Sequence, residues 1–133
     1  MMQKVFDYLS ECEQFFFCTV DGDQPRSRPF GFKMMFEGKL YVGLGDQKAA
    51  YAELLKNPNV EIVASKVKGN FIRIRGKAVI DKREEVQEAM FAASPFLKKV
   101  YSPESGNRHE CLYLEDMSAI VFTNAGRTQE KLY

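Results

Sequence analysis

The sequence predicts a mainly β protein of the α+β class, a small antiparallel barrel of about six strands with two or three flanking helices. Three observations carry that expectation. Runs rich in β-branched and aromatic residues, FFFCTV, LYVGL, VEIVASKV and NFIRIRGKAVI, recur along the chain. Turn residues separate them at hairpin distances, as at Asp21-Gly22, Glu37-Gly38 and Lys68-Gly69. Helical spacing of apolar residues is confined to a few short stretches. Strands joined by tight turns pair antiparallel, and a barrel this small keeps open edges that a partner would cover.

The elements follow in order. MMQKVFDYLSEC sets Val5, Phe6, Leu9 and Cys12 at helical spacing, giving a short amphipathic opening helix that acts as a lid or brace. FFFCTV, the turn DGDQP, RSRPFGFKMMF, the turn EGK and LYVGL read as three strands in a meander. GDQKAAYAELLKNPNV predicts a helix of about three turns, with Asp46 as its N-cap and Asn57-Pro58 as its stop. VEIVASKV and NFIRIRGKAVI form a second hairpin. REEVQEAMFAASPFLKKVYSP is a further amphipathic helix interrupted near Pro95, with Glu84, Glu85 and Glu88 on its wet face. SPESGNRHE is a polar loop, and CLYLEDMSAIVF returns to strand. Met34, Met35 and Met90 read as core filler.

Composition narrows the function. With 133 residues, one domain spanning 1–133 is the economical expectation, large enough to bury a core without disulfides. Lys+Arg 19 against Asp+Glu 18 gives a formal net charge of +1, too little to draw in nucleic acid or an anionic membrane through the overall field. Cys12, Cys18 and Cys111 are odd in number and lack C-x-x-C spacing, which suits reduced thiols in a cytoplasmic protein. No apolar run approaches the length of a membrane helix. His109, the sole histidine, falls in the polar loop and reads as solvated, so neither a metal centre nor a Ser-His-Asp or Cys-His constellation can be assembled around it.

Two features do point to a site. In QPRSRPFGF, Arg26 and Arg28 lie two apart, on one face if the stretch is a strand. Two neighbouring cations call for an anion, which could be a protein carboxylate (Asp21, Asp23 or Glu37), nucleic-acid phosphate or a small phosphorylated ligand. Lys48 falls in the first turn of the GDQKAAYAELL helix, where the helix dipole disfavours a cation. Its placement gains most if a phosphate docks at the helix N-terminus.

The succession PRSRPFGF, a glycine turn, KLYVGLGDQKAAYAELLKNPNVEI and FIRIRGKAVI resembles the FMN-binding split-barrel family of pyridoxamine 5′-phosphate oxidases and their shorter relatives, from about Phe15 to about Lys82 with support to Phe122. The resemblance implies a homodimer with FMN at the subunit interface. It implies that Arg26, Ser27, Arg28, Pro29, Phe30 and Gly31 line the flavin, that Tyr41, Val42, Gln47 and Lys48 stand where the family holds the FMN phosphate, and that Phe71 and Arg73 reach the cofactor across the dimer. Asp46 and Gln47 replace the serine and arginine often found before the lysine, leaving Lys48 with more of the work. The chain has no tryptophan and ends in AGRTQEKLY rather than in the vitamin-gripping tail of the true oxidases. It is therefore similar to the short members, which include nitroimidazole-resistance reductases and general flavin-binding proteins. The implied activity is hydride or electron transfer from a reduced nicotinamide, NAD(P)H, through FMN to a small molecule. Two other readings stand beside it. One is the same fold with deazaflavin or haem. The other is a non-enzymatic barrel stacking single-stranded nucleic acid on Phe16, Phe71, Arg73 and Arg75, which the charge balance disfavours.

Overall fold

The computed structural model describes all 133 residues. In chain order the elements are α1 (Met2–Ser10), β1 (Phe15–Asp21), β2 (Gln24–Phe30), β3 (Met34–Phe36), β4 (Lys39–Gly45), α2 (Ala49–Lys56), β5 (Asn59–Val67), β6 (Asn70–Asp81), α3 (Glu84–Ala93), α4 (Pro95–Val100), β7 (His109–Thr123) and β8 (Thr128–Lys131). Single 3₁₀ turns occupy Pro103–Ser105 and Asn124–Gly126. No helix is long and apolar enough to cross a membrane.

All strands join one antiparallel sheet in the order β2-β1-β5-β6-β7-β4-β3, with β8 added to β7. The long strands β6 and β7 pair from Phe71↔Phe122 to Asp81↔Cys111, with a register shift between Arg75 and Lys77. Such a bulge bends a ladder and sharpens its twist. The sheet does not close, and this is the mainly β split barrel that the sequence predicts.

The predicted meander is where the structure differs. RSRPFGFKMMF is not one strand: β2 ends at Phe30, the chain leaves the sheet at residues 31–33, and β3 pairs only with β4. β2 and β3 consequently lie at opposite ends of the strand order. The physical reason is in the sequence. Pro25 and Pro29 supply no backbone N–H, so β2 cannot take a strand on each side and is confined to an edge.

The barrel interior is packed mainly with apolar side chains. Phe15 and Phe17 of β1, Ile62 of β5, Ile72 and Ile74 of β6, Leu112 of β7 and Leu40, Val42 and Leu44 of β4 are buried together, with Val5 and Leu9 of α1 and Leu54 of α2 packed into the same cluster. Each such side chain contributes about 1.5–3 kcal/mol by leaving water. A smaller cluster of Met34, Tyr41, Val86, Met90 and Cys111 includes two residues of α3. Val5 and Leu9 are thus the buried face predicted for the opening helix, Met34 and Met90 are core filler, and Glu84, Glu85 and Glu88 are exposed. α2 is shorter than predicted: it spans 8 residues and its N-cap is Lys48, not Asp46. β8 has no counterpart in the sequence reading, because its four residues TQEK are all exposed and carry no apolar pattern.

Candidate functional site

The split between the two edges of the sheet is a cleft of about 470 Å³. Arg28, Pro29 and Phe30 of β2 form one wall, and Gly43, Leu44 and Gly45 of β4 form the other. β4 pairs with β7 from Tyr41 to Gly45 but with β3 only from Lys39 to Tyr41. Residues 42–45 therefore offer a backbone edge to which no strand is bonded. Lys48, Ala49 and Ala50 close one end of the cleft, and Tyr101, just after α4, lines it as well.

Lys48 sits in extended backbone (φ −74°, ψ 144°) directly ahead of α2, and no side chain caps the helix. The Ala49 and Ala50 amides, which open α2 ahead of its first intrahelical bonds, thus converge on the cleft with the Lys48 side chain. Lys48 is exposed and takes part in no ion pair. Asp46, predicted as the cap, has another partner: its carboxylate accepts the Arg108 N–H at 3.0 Å while its own N–H donates to the Arg108 carbonyl at 2.9 Å. That pair of bonds ties the β4–α2 turn to the start of β7.

The two arginines of QPRSRPFGF have different fates. Arg26 forms an exposed pair with Asp21 at 3.2 Å, of the kind worth little in water. Arg28 turns toward the barrel, where it donates to the Phe17 carbonyl at 3.2 Å, Thr19 Oγ1 at 2.8 Å and Glu53 Oε1 at 3.0 Å. Thr19 also donates to Glu53 Oε1, at 2.6 Å. The carboxylate that answers Arg28 therefore comes from α2, not from Asp21, Asp23 or Glu37. A strand residue and a helix residue 25 apart in sequence leave no local signal for such a pair.

Of the other residues singled out from the sequence, Phe30 stacks on Phe17 with ring centroids 4.9 Å apart. Ser27 and Gly31 flank the cleft wall and are exposed, as is Gln47 beside Lys48. Val42 is in the barrel core and Tyr41 packs in the smaller cluster with Met34, Val86, Met90 and Cys111, and neither lines the cleft. Tyr41 Oη donates to Asp81 Oδ2 at 2.8 Å. Arg83, hydrogen-bonded to the same carboxylate, holds Asp81 down to about 2, and burial pushes the Tyr41 phenol up. Phe71 and Arg73 lie on the outer face of the sheet, remote from the cleft within one chain. Phe71 stacks on Phe122 at 4.7 Å, and Arg73 covers both rings while pairing with Glu61 at 3.3 Å.

His109 corrects the sequence reading most sharply. It is not a solvated loop residue but the first residue of β7, only 2 % exposed. The polar run SPESGNRHE ends two residues earlier than its composition suggests, because Gly45↔His109 and Leu44↔Glu110 pair in the β4–β7 ladder. Gln87 of α3 holds His109 twice, donating to its carbonyl at 2.7 Å and meeting Nδ1 through Oε1 at 2.7 Å. Burial lowers the imidazole to about 4, and burial likewise pushes the neighbouring Cys111 thiol up to about 12. Nε2 has no hydrogen-bond partner.

Comparison with solved structures places this geometry. A NimC/NimA family protein from Clostridium acetobutylicum superposes with a TM-score of 0.88 at 36% sequence identity, over 98% of this chain and 90% of that one. The chain belongs to the NimC/NimA family. The membership agrees with the resemblance carried by PRSRPFGF and the segments after it. General stress protein 26 from Bacillus anthracis (TM-score 0.71, 19% identity, covering 98% of each chain) shares the fold with this NimC/NimA family member. So does a pyridoxamine 5′-phosphate oxidase-related, FMN-binding protein from Nostoc punctiforme (TM-score 0.65, 12% identity, 98% of this chain and 96% of that one). No family model and no curated protein sequence matches the chain.

Proposed function

We propose that this NimC/NimA family member binds FMN in the split of its barrel and acts as an oxidoreductase on a small molecule, with NAD(P)H as electron donor. The observation that carries the proposal is the meeting of an unpaired Lys48 ammonium, an uncapped α2 N-terminus and a β4 backbone edge without a strand partner in one cleft. The donor set fits the group. A phosphate dianion matches Lys48 and the first amides of α2. A flat ring system matches a slot whose β4 wall contains Gly43 and Gly45 and whose β2 wall contains Pro29 and Phe30. The FMN-binding character of the Nostoc punctiforme neighbour supports the same assignment. FMN, when bound, supplies the redox chemistry. The chain's own residues neutralise the phosphate and exclude water from the ring. Arg28 maintains the β2 wall by tying it to α2. The chain's three free cysteines suit a reducing, cytoplasmic setting.

Lys48→Ala weakens FMN binding by about 1.5–3 kcal/mol, the range for a hydrogen bond to a charged group. The flavin-free protein keeps its stability or gains a few tenths of a kcal/mol, because a cation leaves the positive end of a helix dipole. Fluorescence titration of FMN and of riboflavin into wild type and variant checks this. Riboflavin binds much more weakly than FMN to wild type and is indifferent to the substitution. Equal affinity of FMN for both proteins would remove Lys48 from the phosphate site.

The working form is proposed to be a homodimer. The outer face of the sheet carries Phe16, which is 42% exposed, with half-buried Val63, Phe71, Ile120 and Phe122 beside it. Covering that face would let Phe71 and Arg73 of one copy approach the cleft of the other. Sedimentation velocity should give a dimer even at low concentration, and Phe71→Glu should yield a monomer with weakened FMN binding. A wild-type monomer that retains FMN tightly contradicts the shared site.

A further inference from the structure

His109 stands just behind the cleft, and its bare nitrogen is not explained by the fold. The tautomer is fixed by Gln87. Because Gln87 Nε2 donates to the His109 carbonyl, its Oε1 is the atom that faces Nδ1, so Nδ1 carries the proton and donates. Nε2 is left with a lone pair, buried and without a partner. A buried acceptor without a donor is costly and uncommon in a native structure.

What adjoins Nε2 is the cleft wall. A Cβ on Gly43 would collide with His109 Nε2 and would meet Cε1 at 2.6 Å, so glycine is what lets the imidazole lie against β4. Tyr101 packs on the His109 ring with centroids 5.0 Å apart. Both Gly43 and Tyr101 also line the cleft. Tyr101 is itself only partly buried and follows α4, a helix of 6 residues with none buried. For a molecule in the cleft to meet the lone pair, that ring has to turn aside.

We propose that His109 is a substrate-contacting residue of this cleft, and that its Nε2 accepts a hydrogen bond from a small planar aromatic molecule bearing an O–H or N–H donor. The chemistry of the walls sets that class. Phe30 and Tyr101 offer flat apolar surfaces, a neutral imidazole with Nδ1 already donating selects a donor rather than an anion, and anionic groups are drawn instead to Lys48. Burial keeps the imidazole neutral down to about pH 4, so the acceptor is present throughout the ordinary pH range. The inference rests on the flavin reading for the identity of the cleft as the reacting site, but the contact itself needs no flavin.

The sole histidine makes the test direct. Protein labelled with ¹⁵N-histidine gives one pair of ring-nitrogen signals, followed with and without saturating FMN while phenol, or anisole as the same ring without a donor, is added. Phenol is expected to shift the Nε2 signal and anisole to leave it in place. His109→Asn keeps a donor near the Nδ1 position for Gln87 and removes the acceptor. It should bind phenol about tenfold more weakly, with FMN and anisole binding unchanged, as expected for one hydrogen bond. The proposal is overturned if phenol at saturation leaves Nε2 unmoved, if Nε2 is already hydrogen-bonded to a buried water that phenol does not displace, or if the variant binds phenol as wild type does. A phenol-dependent shift in a protein that fails to bind FMN removes the flavin reading and leaves His109 in its role. FMN binding with no phenol shift does the reverse.

Discussion

Arg28→Ala lowers the unfolding free energy by about 3 kcal/mol in denaturant titrations, the lower end of the cost of removing one member of a buried ion pair. The loss is structural. Glu53 is buried under α2 with Thr19 and Arg28 as its partners, and its side chain keeps only 10% of its exposure. Removing the guanidinium leaves that carboxylate desolvated with one hydroxyl donor, and also strips Thr19 Oγ1 and the Phe17 carbonyl of a donor. Arg28 is 23% exposed, which lets water enter the vacated space and holds the cost below that of a fully enclosed pair. Adding Glu53→Gln to Arg28→Ala should recover more than half of the loss, since a neutral amide in the same place tolerates burial. If the single variant is as stable as wild type, Arg28 is free to serve the cleft and the Glu53 pair carries no weight. Lys48→Ala provides the contrast, because it should change FMN affinity with almost no change in stability.

The second large effect is acid sensitivity through His109. Its folded-state value of about 4 lies below the ordinary 6.5, so folding favours the neutral imidazole. Above pH 6.5 both states are neutral at this residue and its contribution is fully present. Between pH 6.5 and about 4 the unfolded chain takes up a proton that the folded chain refuses, and stability falls as pH falls through that window. At about 1.36 kcal/mol per pH unit the total is about 3 kcal/mol. The groups around the ring do not offset it. Gln87, Phe91 and Tyr101 pack on the ring, the Cys111 thiol stays protonated, and Glu110, the acid that acts on the imidazole, pairs with Lys82 at 2.9 Å and Arg108 at 3.5 Å. In unfolding titrations between pH 7 and pH 4, the loss of unfolding free energy should be larger in wild type than in His109→Asn by this total, with carboxylate contributions cancelling between them. Parallel slopes would mean that the imidazole is solvated, as its place in a polar sequence suggests.

These two residues also show where sequence patterns lose their hold. The strands β5, β6 and β7, the helix α1 and the break between α3 and α4 at Pro95 were legible because each is set by a local pattern: period-two alternation, helical spacing or the missing proline N–H. Pro25 and Pro29 also encode the edge position of β2, against the central place that a meander gives it. Polar composition misled at His109, since a residue among Asn107, Arg108 and Glu110 looks wet until α3 and Tyr101 are seen to cover it.

The sequence by itself determined the antiparallel, mainly β architecture, the family carried by PRSRPFGF and its sequels, and Lys48 at the start of a helix near the end of a strand. Those properties rest on backbone chemistry and on residues adjacent in the chain. Only the tertiary structure decided that Arg28 spends its hydrogen bonds on Phe17, Thr19 and Glu53, that the Tyr41 hydroxyl is taken up by Asp81, and that the one histidine is buried with a bare Nε2 against Gly43. Each of these joins residues from different elements. Electrostatics and desolvation depend on distance in space, and residues 25 or 66 positions apart acquire that distance only when the sheet curls and its two edges leave the cleft between them.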